Sequence, residues 1–345
     1  MSLDPQQMQI QPRHGTGPLG AWDSHRLCVA PMMDCTDRHA RAFLRGFGPG
    51  IVLYSEMVTS AAVVFGDRSR LLAHSAVEHP VALQLGGSDP AELAEAAALG
   101  AEAGFDEINL NVGCPSDRVQ AGRFGACLML EPERVAASVA AMRAVVSVPV
   151  TVKCRLGVDD ADSDERLHAF VATVASAGCS LFIVHARKAI LKGLSPKANR
   201  EVPPLQYPRV HALAAARPDL EIILNGGLTT VAAAAAQLDR VGGVMLGREA
   251  YYNPTILGPL DATLLRPGSE PVTASAALAA FLPYLEARRA EGVPLHAMTR
   301  HLLGLFQGQP GARRFRRVLS EQGRHPEAGL GVVHAALAQL QLRAA

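Results

Sequence analysis

Closely spaced cysteine pairs are missing from this sequence. Its six cysteines form no C-x-x-C motif, which argues against a zinc ribbon or a redox dithiol. They are Cys28, Cys35, Cys114, Cys127, Cys154 and Cys179. A chain of 345 residues with 49% hydrophobic and 19% charged residues can build a large core without disulfides. We therefore interpret most of these thiols as small buried hydrophobic groups, and we expect no metal site.

Long apolar stretches are missing too. Residues 1–24 contain Gln, Pro, Gly and His but no apolar core segment, so we expect a flexible N-terminal segment rather than a signal peptide. The uncharged stretches 170–186 and 271–285 are shorter than the roughly 20 residues of a membrane span. We expect no contact with a membrane and a reducing, cytoplasmic location.

A strong net charge is also missing. The formal charge is +1, so no global field favours nucleic acid. Residues 270–345, however, contain nine arginines and no lysine against five glutamates and no aspartate, a local excess of +4. A nucleic-acid surface, if there is one, is expected in this segment.

Short apolar runs recur along the chain with helical segments between them. Each run has the continuous apolar character of a parallel strand buried on both faces. The eight runs are 27–32, 51–58, 81–86, 107–112, 148–155, 181–186, 221–225 and 243–247. Helices are expected at 89–103, 131–146, 164–177 and 229–238, among others. Eight strand–helix repeats predict a (β/α)8 TIM barrel over residues 25–265.

A doubly wound open sheet is the competing fold. It would normally carry a G-x-G-x-x-G turn after its first strand, where this chain has Ala30-Pro31-Met32-Met33-Asp34. Residues 266–269 are typical of a linker. Beyond them, 276–290, 295–306, 311–319 and 332–342 are expected to be helical, which predicts an all-helical domain over residues 270–345.

The chemistry of a TIM barrel lies at the carboxyl ends of its strands. Two of these ends, Asn225-Gly226-Gly227 and Gly247-Arg248, suit a phosphate, because glycines allow backbone N–H groups to approach an anion. The same glycines also suit tight strand–helix turns without any ligand. The sequence alone leaves both interpretations open.

Lys153 and His185 are polar side chains inside apolar runs on neighbouring strands. A buried lysine needs a negative partner. That partner is either a ligand such as a flavin, whose reduced ring is anionic, or a salt bridge to Glu56 or Asp34. His185 suits the same ligand, or is a structural histidine.

Cys114 lies between Gly113 and Pro115, immediately after the fourth strand. This position faces the expected barrel mouth. An ordinary thiol is protonated at neutral pH, so Cys114 is suited to donate a proton. It would need activation to act as a nucleophile.

Several segments together resemble the tRNA-dihydrouridine synthases, over residues 28 to about 320. The long segment 109–129 and the segment 299–321 are similar to the A subfamily in particular. The other matching segments are Ala30-Pro31-Met32-Met33-Asp34, Glu56-Met57-Val58-Thr59, Gln84-Leu85-Gly86-Gly87-Ser88-Asp89-Pro90, His185-Ala186-Arg187-Lys188-Ala189, Asn225-Gly226-Gly227 and Gly247-Arg248.

This resemblance implies an FMN-dependent enzyme that takes electrons from NADPH or NADH and reduces the C5–C6 bond of uridine in the tRNA D-loop, at positions 20 and 20a. It implies hydride transfer to C6 and protonation of C5 by Cys114, with no obligate protein partner. By position, FMN contacts are expected from Pro31, Met32, Met33, Gln84, Lys153, His185, Asn225, Gly226, Gly227, Gly247 and Arg248. Contacts to tRNA are expected from Asn111, Arg187, Lys197, Arg200, Arg313 and Arg316.

Two positions depart from the family pattern, and two rival functions stay open. Cys35 stands where an aromatic residue is expected, and Cys154 where a threonine is more usual. One rival is a flavin barrel of the dihydroorotate dehydrogenase type, acting on a free pyrimidine. The other is a tRNA-binding protein without catalysis, against which the presence of Cys114, Lys153 and His185 argues.

Overall fold

The structure is a computed structural model that describes residues 25–340. All pairings between its strands are parallel, in the order β2-β1-β9-β8-β7-β6-β5-β4-β3, and a further pairing of β2 with β4 closes the sheet. The strands are β1 (Leu27–Val29), β2 (Val52–Tyr54), β3 (Val58–Thr59), β4 (Val81–Gly86), β5 (Glu107–Val112), β6 (Val150–Arg155), β7 (Leu181–His185), β8 (Glu221–Asn225) and β9 (Gly243–Leu246). The predicted TIM barrel is confirmed. The segment 1–24 predicted to be flexible lies outside the described residues, as do 341–345.

The second predicted strand, 51–58, is divided in two. The side-chain oxygen of Ser55 accepts a hydrogen bond from the backbone N–H of Gln84 at 2.9 Å, where a regular ladder would use a backbone carbonyl. The chain therefore leaves the ladder after β2 and rejoins β4 only at β3, where Val58 is in register with Leu85. Eight strands close the barrel, and β3 is a short addition at its mouth.

Helices connect successive strands around the barrel, and two more helices follow the last strand. They are α1 (Arg38–Leu44), α2 (Ser60–Phe65), α3 (Arg68–Leu71), α4 (Pro90–Glu102), α5 (Asp117–Ala121), α6 (Pro132–Arg143), α7 (Asp164–Ser176), α8 (Tyr207–Ala216), α9 (Val231–Ala235), α10 (Arg248–Tyr252) and α11 (Leu257–Leu264). Pro90 and Pro132 begin helices as their positions predict, and the Asp89 side chain caps α4. The helix predicted at 229–238 is shorter, at Val231–Ala235.

The described residues after 270 contain helices and no strand. These helices are α12 (Ala274–Ala290), α13 (Leu295–Thr299), α14 (Ala312–Gln322) and α15 (Leu330–Leu337). The helix predicted at 295–306 continues only as a 3₁₀ turn at Arg300–Leu302, because the chain then passes close to the barrel. A Cβ on Gly304 would lie 2.2 Å from the carbonyl oxygen of Tyr252. No helix in residues 25–340 has both the length and the apolar character to cross a membrane.

The C-terminal helices pack directly against the barrel. Asp37, which caps α1, accepts a hydrogen bond from Arg300 at 2.6 Å and pairs with His301 at 3.0 Å. Phe281 of α12 lies against Phe43 of α1, with ring centroids 5.5 Å apart. Polar and apolar contacts therefore hold the two parts together.

Residues inside the barrel alternate with residues that face the helices. On β5, Ile108 and Leu110 join the large outer core, whereas Glu107 and Asn109 point inward. The inner apolar residues form a separate cluster of Cys28, Ala30, Val52, Tyr54, Ala82, Leu181, Ile183, Ile223 and Met245. Polar side chains of β4, β5 and β6 complete the interior, so one side of the lumen is apolar and the other polar.

Candidate active site

Cys114 is held in the turn that follows β5. The side-chain oxygen of Asn111 accepts hydrogen bonds from the backbone N–H groups of Gly113 at 3.1 Å and of Cys114 at 2.9 Å. The carbonyl of Cys114 in turn accepts from the backbone N–H of Ala126 at 2.9 Å. A Cβ at Gly125, where φ is +73°, would lie 2.5 Å from that carbonyl oxygen. The turn therefore needs glycine at 125 to hold the Cys114 backbone.

The thiol of Cys114 is partly accessible, and its nearest polar contact is the Ser116 hydroxyl at 3.6 Å. Cys28, Cys154 and Cys179 are buried. Burial raises the pKa of Cys154 and of Cys179 to about 12, so these thiols stay protonated and inert. Cys154 faces the outer core rather than the lumen, so its departure from the family pattern does not alter the barrel interior.

Lys153 enters the lumen near the mouth and donates a hydrogen bond from Nζ to the side-chain oxygen of Asn225 at 3.0 Å. Within residues 25–340 it pairs with no carboxylate, so the alternative of a salt bridge to Glu56 or Asp34 is wrong. Burial, together with the nearby Arg155, lowers the pKa of Lys153 to about 8. The lysine is thus a cation held only by an amide.

His185 ends β7, in register with Arg155 on one side and Asn225 on the other. Its ring makes no hydrogen bond to any residue of the described part of the chain. Burial, then the charges of Arg155 and Lys153, hold its pKa well below the ordinary value, so the ring is neutral at pH 7. A structural histidine would be held by a hydrogen-bond partner within the protein, and His185 has none among the described residues.

Arg155 is a site residue to which the sequence reasoning assigned no role, although it lies on the same strand as Lys153. Its side chain is almost fully buried, and Nε donates to the carbonyl of Gly113 at 2.8 Å. Its Nη1 donates to the carbonyls of Lys188 and Asn199, each at 3.0 Å. Arg155 therefore ties the turn of Cys114 to the loop after β7. The available signal was its position two residues after Lys153, on the same face of a strand.

The glycines after β8 have backbone reasons to be glycine. Gly226 has φ of +117° and Gly227 has φ of +69°. A Cβ on Gly226 would lie 2.7 Å from Cδ2 of His185, and one on Gly227 would lie 2.3 Å from Leu205. Both glycines make the tight strand–helix turn that needs glycine even without a ligand. Both also leave backbone N–H groups uncovered by a side chain.

The end of β9 lies beside the Gly226-Gly227 turn, because β8 and β9 are paired. Gly247 precedes α10, and a Cβ there would have no neighbour closer than 3.7 Å, the sulfur of Met32. Arg248 is exposed and forms an ion pair with Glu201 at 2.5 Å. An exposed pair of this kind contributes little, so Arg248 is available to an anion. Met32 packs against the lumen while Met33 is largely exposed.

The expected tRNA contacts fall into two groups. In the loop after β7, Lys197 and Arg200 are exposed, and Arg187 donates to the carbonyls of Glu201 and Pro203. On α14, Phe315 is buried and its ring packs against Phe306, with ring centroids 5.0 Å apart, so it is not available to stack on a base. Arg313 is exposed and Arg316 partly so, and no carboxylate of residues 25–340 pairs with either.

The donor set at the mouth fits an anionic planar ligand with a phosphate. Lys153 and Arg155 have no carboxylate partner in the described chain, and Arg187 and Arg200 lie near enough to depress the pKa of His185 as well. Two turns with uncovered backbone N–H groups stand beside these cations. The residues present therefore fit FMN. Among residues 25–340 there is no group of three or more potential metal-ligating side chains.

A parallel barrel whose polar and cationic side chains gather at the carboxyl ends of its strands is the architecture of a TIM-barrel enzyme. The sequence profile described as "Dihydrouridine synthase (Dus)" matches residues 28–341. The chain belongs to this family, which confirms the resemblance seen in its motifs.

Three relatives show how close the similarity is. The chain is 57% identical over 320 residues to the tRNA-dihydrouridine(20/20a) synthase of Xanthomonas axonopodis pv. citri, which covers 93% of this chain and 95% of the relative. It is 54% identical to the enzyme of the same name from Vibrio cholerae, over 92% of this chain and 97% of the relative. For the Escherichia coli K12 enzyme of that name the identity is 53%, with 91% of both chains covered.

Proposed function

We propose that this protein is an FMN-dependent oxidoreductase of the cytoplasm that reduces uridine to 5,6-dihydrouridine at positions 20 and 20a of the tRNA D-loop. The observation that carries the proposal is the Cys114 thiol, fixed by Asn111 at a barrel mouth rich in unpaired cations. The names of the relatives, which specify tRNA and these two positions, support the same substrate.

The residues that would hold FMN lie around the mouth. Pro31, Met32, Met33, Gln84, Lys153 and His185 would contact the ring system, and Asn225, Gly226, Gly227, Gly247 and Arg248 the phosphate end. When bound, FMN supplies hydride to C6 of uracil, with electrons from NADPH or NADH. Lys153, with a pKa of about 8, is mostly protonated at neutral pH and can balance negative charge on the ring.

Cys114 would supply the proton. Its S–H bond breaks as a C–H bond forms at C5 of the uracil, and the electron pair of the S–H bond stays on sulfur as a thiolate. Burial lowers the pKa of both Arg155 and Lys153, but a negative charge on Cys114 would partly offset that effect, so these two cations would stabilise the thiolate. Water then returns the proton to sulfur.

Asn111 would bind the base. Its oxygen is already used by the turn of Cys114, and one N–H goes to Gln84 at 2.8 Å. The second N–H is left for a carbonyl of the uracil. The uridine must leave the tRNA stack to reach this depth. Arg187, Lys197 and Arg200 on the barrel side, and Arg313 and Arg316 on α14, would contact the tRNA.

The proposal is tested by mapping dihydrouridine in tRNA by mass spectrometry, in cells that lack the gene and carry a plasmid copy. The wild-type copy is expected to restore dihydrouridine at positions 20 and 20a. Cys114→Ala is expected not to restore it, whereas Cys127→Ala, the matched change at another partly buried cysteine, should restore it fully. Full restoration by Cys114→Ala, or no loss of dihydrouridine in the deletion, contradicts the proposal.

A further inference from the structure

A continuous line of hydrogen-bonded side chains crosses the barrel from its base to its mouth. At the base, the Glu107 carboxylate contacts Nε2 of His25 at 2.6 Å and accepts from the hydroxyl of Tyr54 at 2.9 Å. Its Oε1 also accepts from the hydroxyl of Thr151 at 2.5 Å. Burial opposes ionisation of His25, but the negative charge of Glu107 raises the pKa of that histidine above its ordinary value.

The line continues upward through three carboxamides. Asn109 donates to the Thr151 oxygen at 2.8 Å, and Gln84 donates to Asn109 at 2.7 Å. Asn111 then donates to Gln84 at 2.8 Å, and its own oxygen receives the backbone N–H groups of Gly113 and Cys114. We call Thr151, Asn109, Gln84 and Asn111 the amide relay.

Both ends of the amide relay impose the same direction. A carboxylate such as Glu107 can only accept, so the Thr151 hydroxyl must donate to it and accept from Asn109. A backbone N–H can only donate, so Asn111 must present its oxygen to the turn of Cys114. Between these ends every donor points toward the base, and each carboxamide is left with one orientation. All four relay side chains are buried, so water does not offer replacement partners.

We propose that Glu107 and Thr151, although they lie far below the mouth, are positioning residues that fix the orientation of Asn111 and thereby the backbone that carries Cys114. Without the Thr151 hydroxyl, Asn109 loses its acceptor. The Asn109 amino group then finds an acceptor only if all three carboxamides of the relay exchange the positions of their oxygen and nitrogen atoms. That flip would set the Asn111 amino group against two backbone N–H groups. The turn of Cys114 is therefore less firmly held when the base of the relay is removed.

The test compares Thr151→Val, which keeps the shape but removes the hydroxyl, with Thr151→Ser, which keeps the hydroxyl. Hydrogen exchange is measured by mass spectrometry on peptides covering residues 112–116. Exchange at Gly113 and Cys114 is expected to be about tenfold faster in Thr151→Val, the factor for one lost buried hydrogen bond, and close to wild type in Thr151→Ser. Ile223→Val, a buried change in the apolar part of the lumen, controls for a general loss of stability and should leave this exchange unchanged.

The same variants are then compared in steady-state kinetics, with the FMN-loaded enzyme and tRNA as substrate. This kinetic test rests on the proposed function. For Thr151→Val, kcat is expected to fall about tenfold while KM for tRNA stays near wild type, and Thr151→Ser should restore kcat. Equal exchange at residues 113–114 in the valine and serine variants overturns the proposal. If wild type makes no dihydrouridine, the proposed function fails, but the exchange result still decides on the relay.

Glu107→Gln is the second variant, for use if Thr151→Val does not fold. A glutamine can donate as well as accept, so the base of the relay no longer dictates one direction. Faster exchange at Gly113 and Cys114 than in wild type is the expected result. Exchange identical to wild type contradicts a positioning role for Glu107.

Discussion

The guanidinium of Arg155 donates a hydrogen bond to the carbonyl of Gly113 at 2.8 Å, one residue before Cys114. Below the same turn, Asn111 receives the N–H groups of Gly113 and Cys114. The backbone that presents the thiol is thus held from a neighbouring strand on one side and from its own strand on the other. The short turn that carries Cys114 is therefore restrained at two points.

Replacement of Arg155 by lysine tests the first restraint. The Nε of Arg155 binds the carbonyl of Gly113, and its Nη1 binds the carbonyls of Lys188 and Asn199. A lysine has one ammonium group and cannot reach all three, so at least one buried carbonyl loses its donor. We expect a loss of stability of about 1–3 kcal/mol and a fall in turnover. Thermal unfolding and tRNA reduction measure the two effects. Arg217→Lys, at an exposed pair with Asp219, is the matched change and should be nearly silent.

The pKa of Lys153 predicts how FMN affinity depends on pH. The pKa lies at about 8 in the free protein, so the ammonium is present below that pH and is lost as the pH rises through it. Because an anionic ligand favours the protonated lysine, affinity should fall above pH 8, by at most about tenfold per pH unit. Quenching of flavin fluorescence measures it. Lys153→Met should bind more weakly and with a smaller pH dependence, and a flat wild-type profile from pH 7 to 9.5 would count against the role of Lys153.

Gly226→Ala separates backbone strain from crowding of the site. The substitution places a methyl group 2.7 Å from the His185 ring at a φ of +117°. Gly268→Ala is the control, because Gly268 also has a positive φ, of +88°, but a Cβ there would meet no atom within 4 Å. Both variants should lose about 1–3 kcal/mol of stability from strain. Only Gly226→Ala should lose FMN affinity, and equal affinity in the two variants would remove Gly226 from the flavin site.

The arginines of α14 predict a salt-dependent contribution to tRNA binding. Arg313→Ala combined with Arg316→Ala should weaken binding and make it less sensitive to salt, with the slope of log K against log salt smaller by about 1–2. Arg240→Ala, an exposed arginine in the segment that precedes β9, is the control. Binding curves at several salt concentrations decide the question, and equal slopes in wild type and the double variant would place the tRNA elsewhere.

The sequence predicted the barrel because buried parallel strands are continuous apolar runs, and it singled out Cys114 after one strand and Lys153 and His185 on two others. It did not reveal the break after β2, which depends on a hydrogen bond that the Ser55 side chain accepts from the backbone N–H of Gln84 on β4. The role of Arg155 was not predicted because its partners are backbone carbonyls from loops distant in the chain. The amide relay was missed because its side chains come from three separate strands, β4, β5 and β6. Asn109 and Thr151, for example, become neighbours only when β5 and β6 pair in register.

The most direct test of the central claim is a single-turnover measurement on Cys114→Ala, loaded with FMN and reduced by NADPH. The variant should bind and reduce FMN as wild type does, because Cys114 is not among the residues proposed to hold it. Oxidation of the flavin by tRNA, followed by its absorbance, should be slower by about 100-fold or more, the usual effect of removing a general acid. Oxidation at the wild-type rate, with dihydrouridine formed, would contradict the account.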